Sequence, residues 1–525
     1  MSIRPHPLHA RGLAAALFLA SAGLAAPAAA QTSTAPVAPA AAVLIRGGTL
    51  VDGSGGAPRR ADVRISGDRI ISVAPSLTAA AGERVIDATG LTVSPGFIDV
   101  HSHADRGIDR APMAESQIRQ GITTSIVGQD GGSALPIASF LDDIDRLHPT
   151  INFATMVGHG SVRAAVMGDD FHRAATPGEI ATMQALVDRG MKDGAVGLSS
   201  GVEYDPGFFA KPSEIVALAK MIKPYGGVYS SHVRDEENGV LSAWKEVIDL
   251  GRAAGVPVNI SHAKLASKPV WGTAREALAL LDNAAKSGVK VTADWYPYTF
   301  WSSSMYVLIP DRNFENRHEW EVGLDEIGGA QNVMVTGYQP DSTLNGHTIA
   351  EIAQMQGKDP VTVIIQMMRT AGQNIGIMAT AMDERDLARF VADPRVMFCS
   401  DGGLSGAHPR GYGSFPRILG VYVREKHLLT LPEAVRKMTS ATAQFLGLTD
   451  RGTLAAGKAA DVVIFDPATI ADRGTKTNAA QSPVGIRYVI VNGQVVLEDG
   501  RMTGARPGRG IRRHNWKAYA PGATR

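Results

Sequence analysis

Cysteine is almost absent: the 525 residues include one, Cys399, so no internal disulfide can form and stability has to come from a packed core. An excess of charge is also lacking. With 52 basic and 51 acidic residues the formal net charge is +1, which gives no electrostatic basis for binding nucleic acid or an acidic surface. The apolar stretch at residues 12–26 is short and alanine-rich for a membrane span. What is there is an ordinary globular balance, 44% hydrophobic and 20% charged, in a chain long enough for a large core and a second domain.

The N-terminus differs from the rest. Arg4 and Arg11 precede that apolar stretch, and Ala28-Ala29-Ala30 before Gln31 offers a small-residue cleavage site, so residues 1–30 read as a secretory signal peptide. An uncleaved N-terminal anchor is the alternative. Cleavage would remove two arginines and no acids, moving the formal charge from +1 to −1. The expected destination is the periplasm or the exterior. Residues 31–42, rich in Ala, Pro, Ser and Thr, read as a linker. The basic stretch 506–517, within a tail over 506–525, reads as a solvated surface extension.

Short alternating runs with glycine turns occupy 43–96 and return in 447–505, so the two ends are expected to complete one small β-sandwich. Between them, over 97–446, apolar runs of about five residues alternate with helical patterns. The runs fall at 97–100, 124–127, 151–157, 195–198, 228–229, 256–260, 289–293 and 396–398, and helix candidates at 177–189, 213–223, 239–254 and 273–287. That alternation predicts an α/β fold, a (β/α)8 TIM-type barrel. A long insertion around 300–382 precedes the last run, and Ile375-Gly376-Ile377-Met378 competes for the seventh strand.

Barrel enzymes place their chemistry at the C-terminal strand ends. Here the first run ends in His101-Ser102-His103, and the period of two in a strand puts both rings on one side, able to chelate one metal. The other ends carry Asp130, His159, Ser199 and Ser200, His232, His262, Asp294 and Asp401. The histidines and carboxylates are donors that Zn2+ accepts. A metal lowers the pKa of bound water to about 7, and a carboxylate must then hold and deliver the proton. Asp401 ends the last strand, faces the first across the closed barrel, and is the candidate for that role and for weak ligation.

With these motifs the chain resembles the amidohydrolase superfamily and, more narrowly, the N-acyl-D-amino-acid deacylases (D-aminoacylases). The segments that carry the likeness are Val157-Gly158-His159-Gly160, Gly197-Leu198-Ser199-Ser200-Gly201-Val202-Glu203-Tyr204, Ser231-His232-Val233-Arg234, Ile260-Ser261-His262-Ala263-Lys264 and His408-Pro409-Arg410 with the following 412–417. The resemblance implies a zinc hydrolase with one or two ions, held by His101, His103, Asp130, His232, His262 and Asp401. It further implies that Tyr204, Lys264 and Arg410 hold a substrate carboxylate; His159, by its place at the third strand end, is a candidate to polarise the amide carbonyl or to support a ligand. One departure stands out: where the family reads Gly-Asn-Cys-Gly, this chain reads Gly128-Gln129-Asp130-Gly131. Aspartate is a harder ligand than thiolate and changes metal preference. Lys192 and Lys211 do not lie where a carboxylated bridging lysine would. Trp301 and Ser302-Ser303-Ser304 open the insertion and are expected to form a lid over the side-chain pocket. The expected substrate is a small N-acyl amino acid or a dipeptide-like molecule. A periplasmic dipeptidase or cyclic-amide hydrolase is the nearest alternative, and a non-catalytic ligand-binding protein the alternative of another class.

Overall fold

The structure, a computed structural model, describes residues 42–309 and 312–513. The expected signal peptide, nearly all of the linker, and residues 514–525 lie outside the described residues.

Eight short parallel strands form the barrel, one in each expected run: β1 (Phe97–Asp99), β2 (Ile122–Val127), β3 (Asn152–Thr155), β4 (Gly197–Gly201), β5 (Val228–His232), β6 (Val258–Ile260), β7 (Val291–Trp295) and β8 (Val396–Phe398). They pair in chain order. β3 breaks at Met156, and its continuation Val157–Gly158 turns to pair with β4. Closure between β8 and β1 relies on the loops at their ends. Ser400 N donates to Asp99 Oδ1 at 2.8 Å, Asp401 N to the His101 carbonyl at 2.9 Å, and His103 N to the Gly402 carbonyl at 2.9 Å. A parallel sheet is covered on both faces, which is why these strands read as unbroken runs without alternation; all six residues of β2 are buried.

Helices Pro177–Lys192, Pro212–Ile222, Val240–Ala254 and Ala274–Lys286 follow β3 to β6. The first begins with a capping box: Thr176 accepts from Glu179 N while the Glu179 carboxylate accepts from Thr176 N. The insertion contains its own antiparallel sheet, Phe300–Ser304, Gly376–Thr380 and Val333–Gly337, with Gly376–Thr380 in the middle. Ile377 and Met378 therefore belong to that sheet and not to the barrel, where Val291–Trp295 has a partner on each side.

The chain ends share a second β-rich body. Val462–Phe465 pairs antiparallel with Thr92–Pro95 in a seven-stranded sheet, opposite a four-stranded sheet built on Val43–Arg46. Leu50, Val63, Ile86, Val93, Val462 and Ile464 fill the space between them. Residues 506–513 are not the solvated extension expected from their charge. Phe153 N donates to the Arg509 carbonyl, Ile511 N donates to the Phe153 carbonyl at 2.7 Å, and Arg512 pairs with Asp142 and Asp145 at 2.6 Å each.

A buried ion pair ties the sheets to the barrel. Arg451 donates to Asp461 Oδ2 at 2.7 Å and to Thr124 Oγ1 of β2 at 3.3 Å, while Asp461 Oδ1 accepts from Asn492 N. Arg451→Ala leaves the Asp461 charge buried and uncompensated, so it is expected to lower unfolding stability by about 3–5 kcal/mol. Denaturant unfolding measures this, and a loss below about 1 kcal/mol, the range of an exposed pair, would contradict the assigned role.

Candidate metal centre and substrate cleft

His101 and His103 leave β1, Asp130 follows β2, His232 ends β5, His262 follows β6, and Asp401 follows β8. Three of them hold left-handed backbone: Asp130 at φ 53°, His262 at 35° and Asp401 at 49°. Residues with a Cβ seldom adopt this region, and such strain concentrates where a chain must reverse to present a side chain. Gly131 completes the turn after β2; a Cβ there would lie 2.8 Å from Gly201 N, so only glycine lets this loop press against β4.

The six side chains come together. The Asp130 carboxylate lies 3.3 Å from His101 Nε2, 3.1 Å from His103 Nε2 and 3.4 Å from His262 Nε2. Asp401 Oδ1 is 3.6 Å from His101 Nε2 and 3.4 Å from His103 Nε2. His232 Nδ1 reaches to 3.0 Å from His262 Nε2. Ligand atoms of His101, Asp130, His262 and Asp401 all fall within 4.8 Å of one another, and a second such group joins His232 and Glu236 through the shared His262.

The outward ring nitrogens are held as well. His232 Nε2 lies 2.5 Å from Glu203 Oε2, and His262 Nδ1 lies 3.1 Å from Glu236 Oε1. Carboxylates in that position fix the tautomer and aim of a ligating imidazole. Among the described residues Asp130 Oδ1 is buried without a hydrogen-bond partner, in the middle of the imidazoles. A bare buried carboxylate oxygen is costly, and a cation among these donors would satisfy it. Imidazole and carboxylate together suit a divalent metal, so the residues present fit one.

Electrostatics agree with the geometry. Burial opposes charge on Asp130, but His101 and His262 hold its carboxyl well below the usual range. Asp401 is likewise held low, burial being outweighed by Arg410 and His262. Burial opposes a charged His103, yet hydrogen bonds to Asp130 and Asp401 raise it to about 9. His262 rises to about 10 because Glu236, Asp401 and Asp130 outweigh burial and Lys264. His232, mainly through burial, falls to about 4. Burial and Glu236 push Glu203 up, and Glu237 rises for the same reason, with Glu203 adding to it.

A narrow cleft opens beside the cluster, bordered by His232, His262 and Asp401 and by Tyr204, Lys264 and Arg410. Lys264 Nζ lies 2.6 Å from Glu236, and Arg410 Nη1 2.7 Å from Asp401 Oδ2. Both cations sit over the Tyr296 ring, at 5.9 and 4.9 Å from its centre. Tyr204 Oη is 3.2 Å from Ser303 Oγ. The insertion supplies Trp301, Ser302, Ser303 and Val307 to the same cleft, the place expected of a lid.

His159 is not brought there. It begins the helix His159–Met167 and is fully buried, with Nε2 2.9 Å from Glu214 Oε1 in a network completed by Arg163. The break in β3 at Met156 and the helix start turn its ring toward the neighbouring helix and away from the cleft lining. Conversely, Glu203, Glu236, Glu237 and Tyr296 belong to the site and escaped the sequence reading. For Glu236 a signal existed, since it follows His232 by four residues and Lys264 carries the matching charge.

A (β/α)8 barrel with an imidazole and carboxylate cluster at the C-terminal ends of its strands is the plan of a metal-dependent hydrolase. The chain belongs to the amidohydrolase family, whose sequence model matches residues 84–307 and 329–497. It is 38% identical to a D-aminoacylase of Alcaligenes xylosoxydans xylosoxydans, over 90% of this chain and 97% of the relative. It is 37% identical to the N-acyl-D-glutamate deacylase of the same organism, over 92% and 99%. Among solved structures it resembles the N-acyl-D-glutamate deacylase of Bordetella bronchiseptica in complex with zinc and a phosphonate inhibitor, at a TM-score of 0.81 and 36% identity over 90% of this chain and 99% of that one. A D-aminoacylase with a binuclear metal centre gives a TM-score of 0.80 at the same identity and coverage.

Ligating histidines must be neutral, whereas His103 and His262, raised to about 9 and about 10, carry protons at pH 7.5 in the metal-free protein. Metal uptake at pH 7.5 is therefore expected to release roughly one to two protons per ion and to weaken as pH falls. Calorimetry in buffers of different ionisation enthalpy reads this directly; uptake without proton release would contradict the ligand assignment.

Proposed function

We propose that this protein is a zinc-dependent hydrolase that removes the acyl group from N-acyl-D-amino acids. One observation carries the reading: a metal-fitting cluster and two fixed cations, Lys264 and Arg410, border a single cleft. The D-configuration rests on the named activities of the relatives. The expectation of export rests on the sequence of residues 1–30 alone.

Zinc, as one ion or two held by His101, His103, Asp130, His232, His262 and Asp401, supplies Lewis acidity and makes water nucleophilic near pH 7. The chain's own residues do the rest. Glu203 and Glu236 orient the His232 and His262 rings. Arg410, Lys264 and Tyr204 hold the substrate carboxylate, a planar fork and a point charge being suited to that group, and so set the scissile amide against the cluster. Asp401, kept ionised by Arg410 and His262, accepts the proton of the attacking water and returns it to the leaving amine nitrogen as the C–N bond breaks.

Asp401→Asn is expected to lower turnover at least about 100-fold, the lower end of what a positioned acid-base group contributes, with the fold retained by circular dichroism. Near-normal turnover would remove Asp401 from this role. A panel of N-acetylated D- and L-amino acids and of dipeptides checks the substrate class. Hydrolysis of the dipeptides in preference to the acylated D-amino acids would replace the proposal with a dipeptidase.

A further inference from the structure

Four carboxylates border the cleft, Glu203, Glu236, Glu237 and Asp401, against two permanent cations, Lys264 and Arg410. Three of the four are engaged: Asp401 with Arg410 at 2.7 Å, Glu236 with Lys264 at 2.6 Å, and Glu203 with His232 at 2.5 Å. Glu237 is left over. Among the described residues it makes no ion pair, and its side chain accepts one hydrogen bond, from Glu236 N at 3.3 Å.

The arginines nearest to it are already committed. Arg234 is bidentate to Glu246, and Arg312 donates to the carbonyls of Tyr306 and Glu203 while stacked between Phe208 and Tyr306. Neither borders the cleft. A second, independent feature in the cleft also lacks a partner. Trp301 is 5% exposed, lines the same space, and its indole N–H donates to nothing among the described residues. Its ring offers a face on which a cation is stabilised, and its N–H a donor for a carbonyl.

We propose that Glu237 selects substrates whose side chain ends in a positively charged nitrogen, so that the favoured class is N-acyl-D-lysine and N-acyl-D-arginine. The inference rests on the deacylase reading and narrows it. The substrate α-carboxylate takes Lys264 and Arg410, the acyl group brings a carbonyl acceptor, and the side-chain cation meets the one cleft carboxylate that, among the described residues, pairs with no side chain. The substrate's α-carboxylate already adds a fifth carboxylate and an acidic side chain would add a sixth, so selectivity is expected to run opposite to that named for the N-acyl-D-glutamate deacylase relative.

The test uses metal-loaded, full-length enzyme and three substrates, N-acetyl-D-lysine, N-acetyl-D-norleucine and N-acetyl-D-glutamate. Norleucine keeps the four-carbon chain and removes the charge. The expected order of kcat/KM is lysine above norleucine by at least roughly tenfold, and glutamate last. Glu237→Gln is expected to shrink the lysine-to-norleucine ratio by roughly 10- to 100-fold, the size of a lost charge-assisted hydrogen bond. Thermal melting of the variant reports on its folding, and the wild-type ratio stands if the variant does not fold. Equal values for lysine and norleucine, a preference for glutamate, or a ratio unmoved in folded Glu237→Gln would overturn the proposal. Calorimetric binding of D-lysine against D-norleucine gives a readout independent of turnover. Absence of turnover on all three substrates would count against the deacylase reading, whereas D-lysine binding no tighter than D-norleucine would count against Glu237.

Discussion

Closure of the barrel between its first and last strands is the constraint on which the rest of the site depends. Asp99 receives the Ser400 N–H, and the His101 carbonyl receives the Asp401 N–H, so the residue that bears the acid-base carboxylate is bonded to the backbone of a residue that bears a ligand. A barrel opened at this seam would keep His101 and His103 together, because the one segment after β1 carries both, but would lose Asp401. Burial pushes the Asp99 carboxyl up to about 7 against its bonds to Ser400 and the nearby His101, which shows how dry the seam is.

Within that frame the site is organised by charge more than by apolar packing. Asp130 and Asp401 face the imidazoles from the inside, while Glu203 and Glu236 face His232 and His262 from the outside. His232 and His262 are thereby held at both nitrogens, the arrangement that fixes a ligand before metal arrives and limits how far it can move. The same abundance of carboxylates makes the cleft selective. Lys264 and Arg410 neutralise two of them, and the remainder sets which ligands can enter without repulsion.

The barrel was legible because its signal is local: eight apolar runs, glycine turns and amphipathic helices repeat with a period that burial on both faces of a parallel sheet requires. His101 and His103 were legible because they follow the first of those runs two residues apart, although β1 ends at Asp99 and the segment after it carries them. Glu203 and Glu237 were not. They stand in loops after β4 and β5, where no periodicity encodes the direction of a side chain. His159 failed differently, because its strand breaks at Met156 and a helix begins at the histidine itself. The segment 506–513 misled through composition: its arginines are charged, yet Asp142 and Asp145 lie opposite Arg512, and the backbone pairs with Phe153.

The account stands or falls on a metal among the imidazoles. An anomalous difference map recorded at the zinc edge, from crystals of the protein purified with zinc, locates that ion directly. The account predicts a peak within ligand distance of His101 Nε2, His103 Nε2, Asp130 and Asp401, on the cleft side that holds Arg410. Zinc bound elsewhere on the chain, with these side chains bonded only to one another, would contradict it.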